Sequence, residues 1–166
     1  MKTYEAQGNS AEADCLIGHS YGTSIHTGSV NHQLASVMQQ HAHRRPLIAD
    51  RTLVDAVPNG EADMAYVVEG PVTNSKGQGV GTWGTLVEAQ QYMEENGLSK
   101  AMMIAQAYHI NRVVKQAAKL GMSSIVPEGL PTDFDRNSEQ IWTRSPYLWI
   151  PFNTLGSLIL KRRGQL

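Results

Sequence analysis

Apolar positions along this chain change their period several times, and each change marks an element. Residues 101–107, A-M-M-I-A-Q-A, form an almost continuous apolar run of strand length. From Tyr108 the spacing becomes helical, with Ile110, Val113, Val114, Ala117, Ala118 and Leu120 on one side and a stop at Gly121. A switch from strand to helical period with no turn cluster between is the pattern of a β-α unit. Shorter apolar runs at Ala13–Gly18, Pro46–Asp50, Met64–Val68 and Ser123–Val126 read as four further strands. Val30, Leu34, Val37 and Met38 recur at helical spacing from an N-cap at Ser29 to about His43. Leu86, Ala89, Tyr92 and Met93 do the same from Thr85 to Gly97, and Thr85-Leu86-Val87-Glu88 fits a capping box. One helical turn over Leu53–Val57 and a short helix over Ser138–Arg144 are expected. A terminal helix is expected over Asn153–Arg163, with Leu155, Leu158, Ile159 and Leu160 as its apolar side.

Strands alternating with helices predict an α/β fold, a Rossmann-like three-layer sandwich around a mostly parallel sheet of about five strands. The expected organisation is one domain over residues 1–166, with 1–12 as a polar lead-in. Right-handed crossovers collect the C-terminal strand ends at one edge, where ligands of open α/β sheets bind. Gly18–Gly28, Asp50–Leu53, Glu69–Thr85 and Ala107–Arg112 all reach that edge. Residues 70–84 hold five glycines and Trp83, and a loop of that length in a compact domain is expected to be functional or mobile.

The chemistry concentrates at the strand-to-helix switch. His109 and Arg112 stand three residues apart in the first turn of the expected helix, hence on one face. That turn is also expected to offer unpaired N–H groups and the positive end of the helix dipole. A titratable imidazole, a guanidinium and a row of donors suit an anion. His109 is the candidate general acid/base and Arg112 the anion clamp. Gly18 is expected to permit close backbone approach, with His19 and Ser20 offering hydrogen bonds to the ligand. Asp50, Arg51, Thr85 and Glu88 are further ligand-binding candidates, although Asp50 with Arg51 also reads as a local ion pair and Glu88 as a capping partner.

Gly18-His19-Ser20-Tyr21-Gly22 also matches the G-x-S-x-G nucleophile elbow, which would make Ser20 a catalytic residue working with His109 and an Asp such as Asp50. Against this, the chain continues as polar loop to Ser29, where an elbow turns directly into a helix. A glycine-containing loop lining the pocket is the preferred reading.

Composition narrows the partners. Net charge is −1 and the longest basic run is Lys161-Arg162-Arg163, so a nucleic-acid surface is not expected. Cys15 is the only cysteine, which fits a reducing compartment. No run approaches the ~20 apolar residues of a membrane helix, and the N-terminus lacks the apolar centre of a signal peptide. A cytoplasmic location is the expectation. His41-x-His43 faces two sides of its helix and no cysteine or histidine falls at zinc spacing, so no metal is expected.

The chain resembles the YdcF/SanA/ElyC-like family, the domain of unknown function 218. Asp14-Cys15-Leu16-Ile17-Gly18 partly matches that family's opening strand and glycine turn. Thr85-Leu86-Val87-Glu88-Ala89 stands at its T-x-x-N-A motif, with Glu88 in place of the usual Asn. Ala107-Tyr108-His109-Ile110-Asn111-Arg112 matches its small-residue-Y/H-H-x-x-R-A turn best. The family's S-G-G and S-E-A segments are absent. The resemblance implies a Rossmann-like fold whose polar pocket binds a phosphate-bearing or nucleotide-like molecule, with a nucleotide or S-adenosylmethionine as the cofactor it suggests. Two other outcomes stay open, a binding module without chemistry and a small serine hydrolase using Ser20.

Overall fold

The computed structural model describes residues 6–69 and 81–166. Five strands, β1 (Cys15–Gly18), β2 (Leu47–Asp50), β3 (Tyr66–Val68), β4 (Lys100–Ile104) and β5 (Ser123–Ile125), form one sheet in the order β3-β2-β1-β4-β5. Every pairing is parallel. β1 is central, with Leu16 in register with Leu47 on one side and Met102 on the other. A strand covered on both faces has no solvent side, which is why β1 and β4 read as continuous rather than alternating apolar runs.

Six helices accompany the sheet among the described residues: α1 (Val30–Ala42), α2 (Arg51–Val54), α3 (Gly60–Asp63), α4 (Gly81–Glu95), α5 (Ile110–Lys119) and α6 (Pro146–Arg162). α1 packs on β1, β4 and α2, whereas α4 packs on β2, β3 and α5. The α/β sandwich expected from the alternation is the architecture observed, and all five strands lie where the apolar runs placed them. The Ser29 cap is present too, its hydroxyl accepting from the His32 amide at 3.2 Å. At the other end of the β-α unit, Gly121 sits at φ +77°. The Met122 amide returns to the Ala117 carbonyl and the Gly121 amide to Ala118, so a left-handed glycine closes α5.

Several boundaries differ from the expectation. α4 already begins at Gly81, so Thr85 lies inside it, and its hydroxyl returns to the Gly81 carbonyl at 3.3 Å instead of capping. The turn predicted at Leu53–Val57 starts at Arg51, because Asp50 caps it by accepting from the Leu53 amide. Beyond that turn a short helix not expected from the sequence, α3, starts at Gly60 behind an Asn59 in left-handed conformation. Over Ser138–Arg144 only a 3-10 turn forms, at Ile141–Thr143. The terminal helix starts at Pro146, seven residues early, with Pro at N1, a position that needs no donor. Its predicted apolar side does not face the core: Leu155, Leu158 and Ile159 are exposed, and Trp149 is its buried residue.

The candidate site at the sheet edge

The chain moves outward from β1 to β2 and β3, then crosses back to β4 on the far side of β1. The strand ends part at this reversal, and a cleft of about 260 Å³ opens there. Its walls come from the loop after β1 (His19–Thr23), the start of α2, the first turns of α4 and α5, and α6. His19, Ser20, Asp50, Arg51, Thr85, His109 and Arg112 all line it. Seven of the sequence candidates are thus brought to one place.

Two candidates lie elsewhere. Gly18 is not at the cleft: a Cβ there would meet Met38 Sδ at 2.4 Å and Leu53 Cδ2 at 2.5 Å. Helix packing, and not approach of a ligand, requires that glycine. Glu88 points to Tyr66, whose hydroxyl pKa is raised by burial and then by the Glu88 charge, and it is not part of the cleft wall. Asp14, just ahead of β1, binds the Ser99 and Lys100 amides, each at 2.9 Å, at the end of the strand away from the cleft. Of the glycine-rich stretch, residues 70–80 fall outside the described residues. Trp83 lies on α4 and is half-buried.

Arg51 and Asp50 mainly hold the frame. Arg51 pairs with Glu61 and Glu69, with Asp55 at 4.0 Å. Asp50 Oδ2 accepts the Ser20 amide at 2.8 Å, and Oδ1 caps α2. Burial pushes the Asp50 carboxyl up, opposed by hydrogen bonds from Ser20, Leu53 and Thr52. The β1 loop is therefore tied to β2 through one carboxylate. Further along that loop, the Tyr21 amide donates to Asn31 Oδ1 at 2.7 Å. Gly22, at φ +77°, has no room for a side chain, since a Cβ would meet Ser138 Oγ at 2.7 Å.

The expected row of free N–H donors at the start of α5 is absent. Gln106, fully buried, accepts the His109 and Ile110 amides on its carbonyl and the Tyr108 amide on its side chain. The Ala107 amide goes to the Pro131 carbonyl. Buried donors need partners, and here neighbouring chain supplies them before any ligand arrives. What remains for a ligand is side chains.

Those side chains form an unusual set. His19 and His109 are both buried, at 2% and 4% exposure. Burial, reinforced by the charge of Arg112, lowers the His19 pKa to about 3 and pushes His109 well below its ordinary value. His109 Nε2 shares a hydrogen bond with Thr82 Oγ1 at 3.0 Å, while its Nδ1 and His19 Nε2 are buried without partners. Burial also lowers Arg112, to about 10. Its Nη1 donates to Asn153 Oδ1 at 3.0 Å, its guanidinium lies 5.5 Å from the Trp149 ring centroid, and its Nε has no partner. Neither contact neutralises the charge, and among the described residues no carboxylate pairs with it.

Trp149 is the hub that sequence reading missed. Its ring meets Tyr21 edge-on at 5.1 Å and His109 at 5.6 Å, with Arg112 on its face. Tyr21, hidden in the G-x-S-x-G pattern, carries a buried, unpartnered hydroxyl whose pKa burial raises. Tyr21 directly follows the candidate Ser20 and was within reach of the sequence; nothing in the sequence links Trp149 to a turn forty residues upstream. Among the described residues no group of three or more His, Cys, Asp or Glu is placed to hold a metal. Comparison of the chain with family models, curated proteins and solved structures gives no significant match.

Proposed function

We propose that this cleft binds or processes a phosphate-bearing or nucleotide-like small molecule. One observation carries the reading: Arg112 is a largely buried cation with no carboxylate partner among the described residues, beside two imidazoles that stay neutral. A buried charge is costly unless compensated, and an anionic ligand supplies the compensation. A phosphoryl oxygen at Arg112 would meet a planar donor fork suited to it. The unpartnered atoms on Arg112, His19 and His109 offer further hydrogen bonds. His109, neutral at pH 7, starts any reaction as a base, with Ser20 and Thr85 orienting the substrate. The resemblance to the YdcF/SanA/ElyC-like family belongs to this proposal, supported by the parallel sheet and by His109-x-x-Arg112 lying at its reversal point. A nucleotide or S-adenosylmethionine enters through that resemblance alone.

A binding module without turnover uses the same cleft, and release of phosphate or a leaving group by purified protein separates the two. The serine-hydrolase reading gains no support. Ser20 is hydrogen-bonded to Asp50, His109 to Thr82, and no described contact joins Ser20 to His109.

The test is thermal stabilisation by inorganic phosphate, nucleotides, sugar phosphates and S-adenosylmethionine. A ligand at about 100 times its Kd stabilises the wild type by about 2.7 kcal/mol. That gain is expected to vanish in Arg112→Ala and to shrink in His109→Ala. A panel in which every compound leaves the melting temperature unchanged would overturn the reading.

A further inference from the structure

α6 is built inside out. Tyr147, Leu148, Phe152, Leu155, Leu158 and Ile159 are exposed, from 41% for Phe152 to 86% for Tyr147. At about 100° per residue they fall within roughly 140° of the helix surface, a stripe about 18 Å long, with exposed Ile150 on the adjoining face. A contiguous apolar patch of that kind marks an interaction surface.

Charge selects the partner. Residues 140–166 contain no Asp or Glu but do contain Arg144, Lys161, Arg162 and Arg163. None of the four forms a salt bridge among the described residues, and Arg162 continues the stripe at its C-terminal end. A second copy would present the same acid-free, cationic stripe, leaving these charges uncompensated. An anionic bilayer offers hydrocarbon for the leucines and phosphates for the bases together. Among the described residues no helix is long and apolar enough to cross a membrane, so α6 would lie in the plane of the interface. The stacked Trp142–Phe152 pair, ring centroids 4.5 Å apart, stands near the end where Tyr147 is, and aromatic rings favour that depth.

We propose that α6 docks this protein onto a bilayer carrying anionic phospholipid, its outward stripe in the interfacial layer and Lys161–Arg163 against the headgroups. Phe152 belongs both to the stripe and to the cleft wall, so docking brings the edge of the cleft to headgroup level.

Flotation of the full chain with vesicles tests this, using phosphatidylcholine alone and phosphatidylcholine containing roughly one third phosphatidylglycerol. The wild type is expected to float with the anionic vesicles and to bind neutral ones at least about tenfold more weakly. Leu155→Gln with Leu158→Gln, and separately Arg162→Gln with Arg163→Gln, are each expected to lose about tenfold or more. All four side chains are exposed, so both variants should melt like the wild type. If the leucine variant melts early, the arginine variant decides. Equal binding to neutral vesicles, wild type left unbound by anionic ones, or undiminished binding by either folded variant would overturn the proposal. So would light scattering that shows a wild-type dimer which the leucine variant dissociates, because a second copy would then cover the stripe.

Discussion

Arg51 and Arg112 line the same cleft and live by opposite rules. Arg51 is partly exposed and holds carboxylates from three places, Asp55 one turn on, Glu61 in α3 and Glu69 after β3. Glu69 and Glu61 hold its guanidinium above its ordinary pKa. Arg112 has an amide oxygen and an indole face, and burial drives its pKa down to about 10. An arginine already neutralised by its own protein has little left to give a ligand. An arginine kept buried and unneutralised keeps its attraction for one. The difference separates a structural guanidinium from a recognition one, although both follow a strand end and look alike in sequence.

The pH dependence of stability tests the environment of Arg112 most strongly. His19 and His109 have folded pKa values below their ordinary 6.5. The unfolded chain therefore takes up more protons below that pH. Their contribution is full above about pH 6.5 and is lost as pH falls toward the folded values, near 3 for His19. Urea melts between roughly pH 7 and pH 5 are expected to show a loss approaching ~2.7 kcal/mol per pH unit at the acid end for the pair. His109→Gln should about halve that slope. An unchanged slope would mean that the imidazoles are not held neutral.

A smaller effect, of opposite sign to most core substitutions, is expected from Arg112→Met. It keeps the volume and removes an unneutralised charge, so the ligand-free protein should gain about 1 kcal/mol. A loss of several kcal/mol in the same melts would reveal a counter-charge and collapse the contrast with Arg51. The smallest effect is Arg51→Ala on ligand affinity, less than about threefold by titration, because its charge is already satisfied by exposed acids. A loss as large as that of Arg112→Ala would make the two arginines equivalent.

How much of this was legible depends on how local the cause is. β4, the turn and α5 were readable because a period change and a stopping glycine lie within twenty residues. So were His109 and Arg112, fixed on one face by helical spacing alone. The start of α4 was obscured because Gly81 and Gly84 look like loop while Thr85 and Glu88 imitate a cap. α6 was truncated in sequence because Pro151 looks like a breaker, although the helix runs through it. The direction of its apolar face was hidden too: a stripe at helical spacing says that a face exists, not which way it turns. Trp149, Asn153 and Gln106 act through contacts up to 128 residues away in the chain, such as Trp149 with Tyr21, and local pattern carries no trace of them.

Gln106 leaves one more consequence. Besides holding the amides of Tyr108, His109 and Ile110, its side chain donates to the Asp133 carbonyl at 3.0 Å. The turn that carries the imidazole is thus fastened to the segment behind it before any ligand arrives. Freezing loose backbone is one of the larger entropic penalties of association. At this turn that loss is incurred once, during folding, so an incoming anion meets a backbone with little freedom left to surrender.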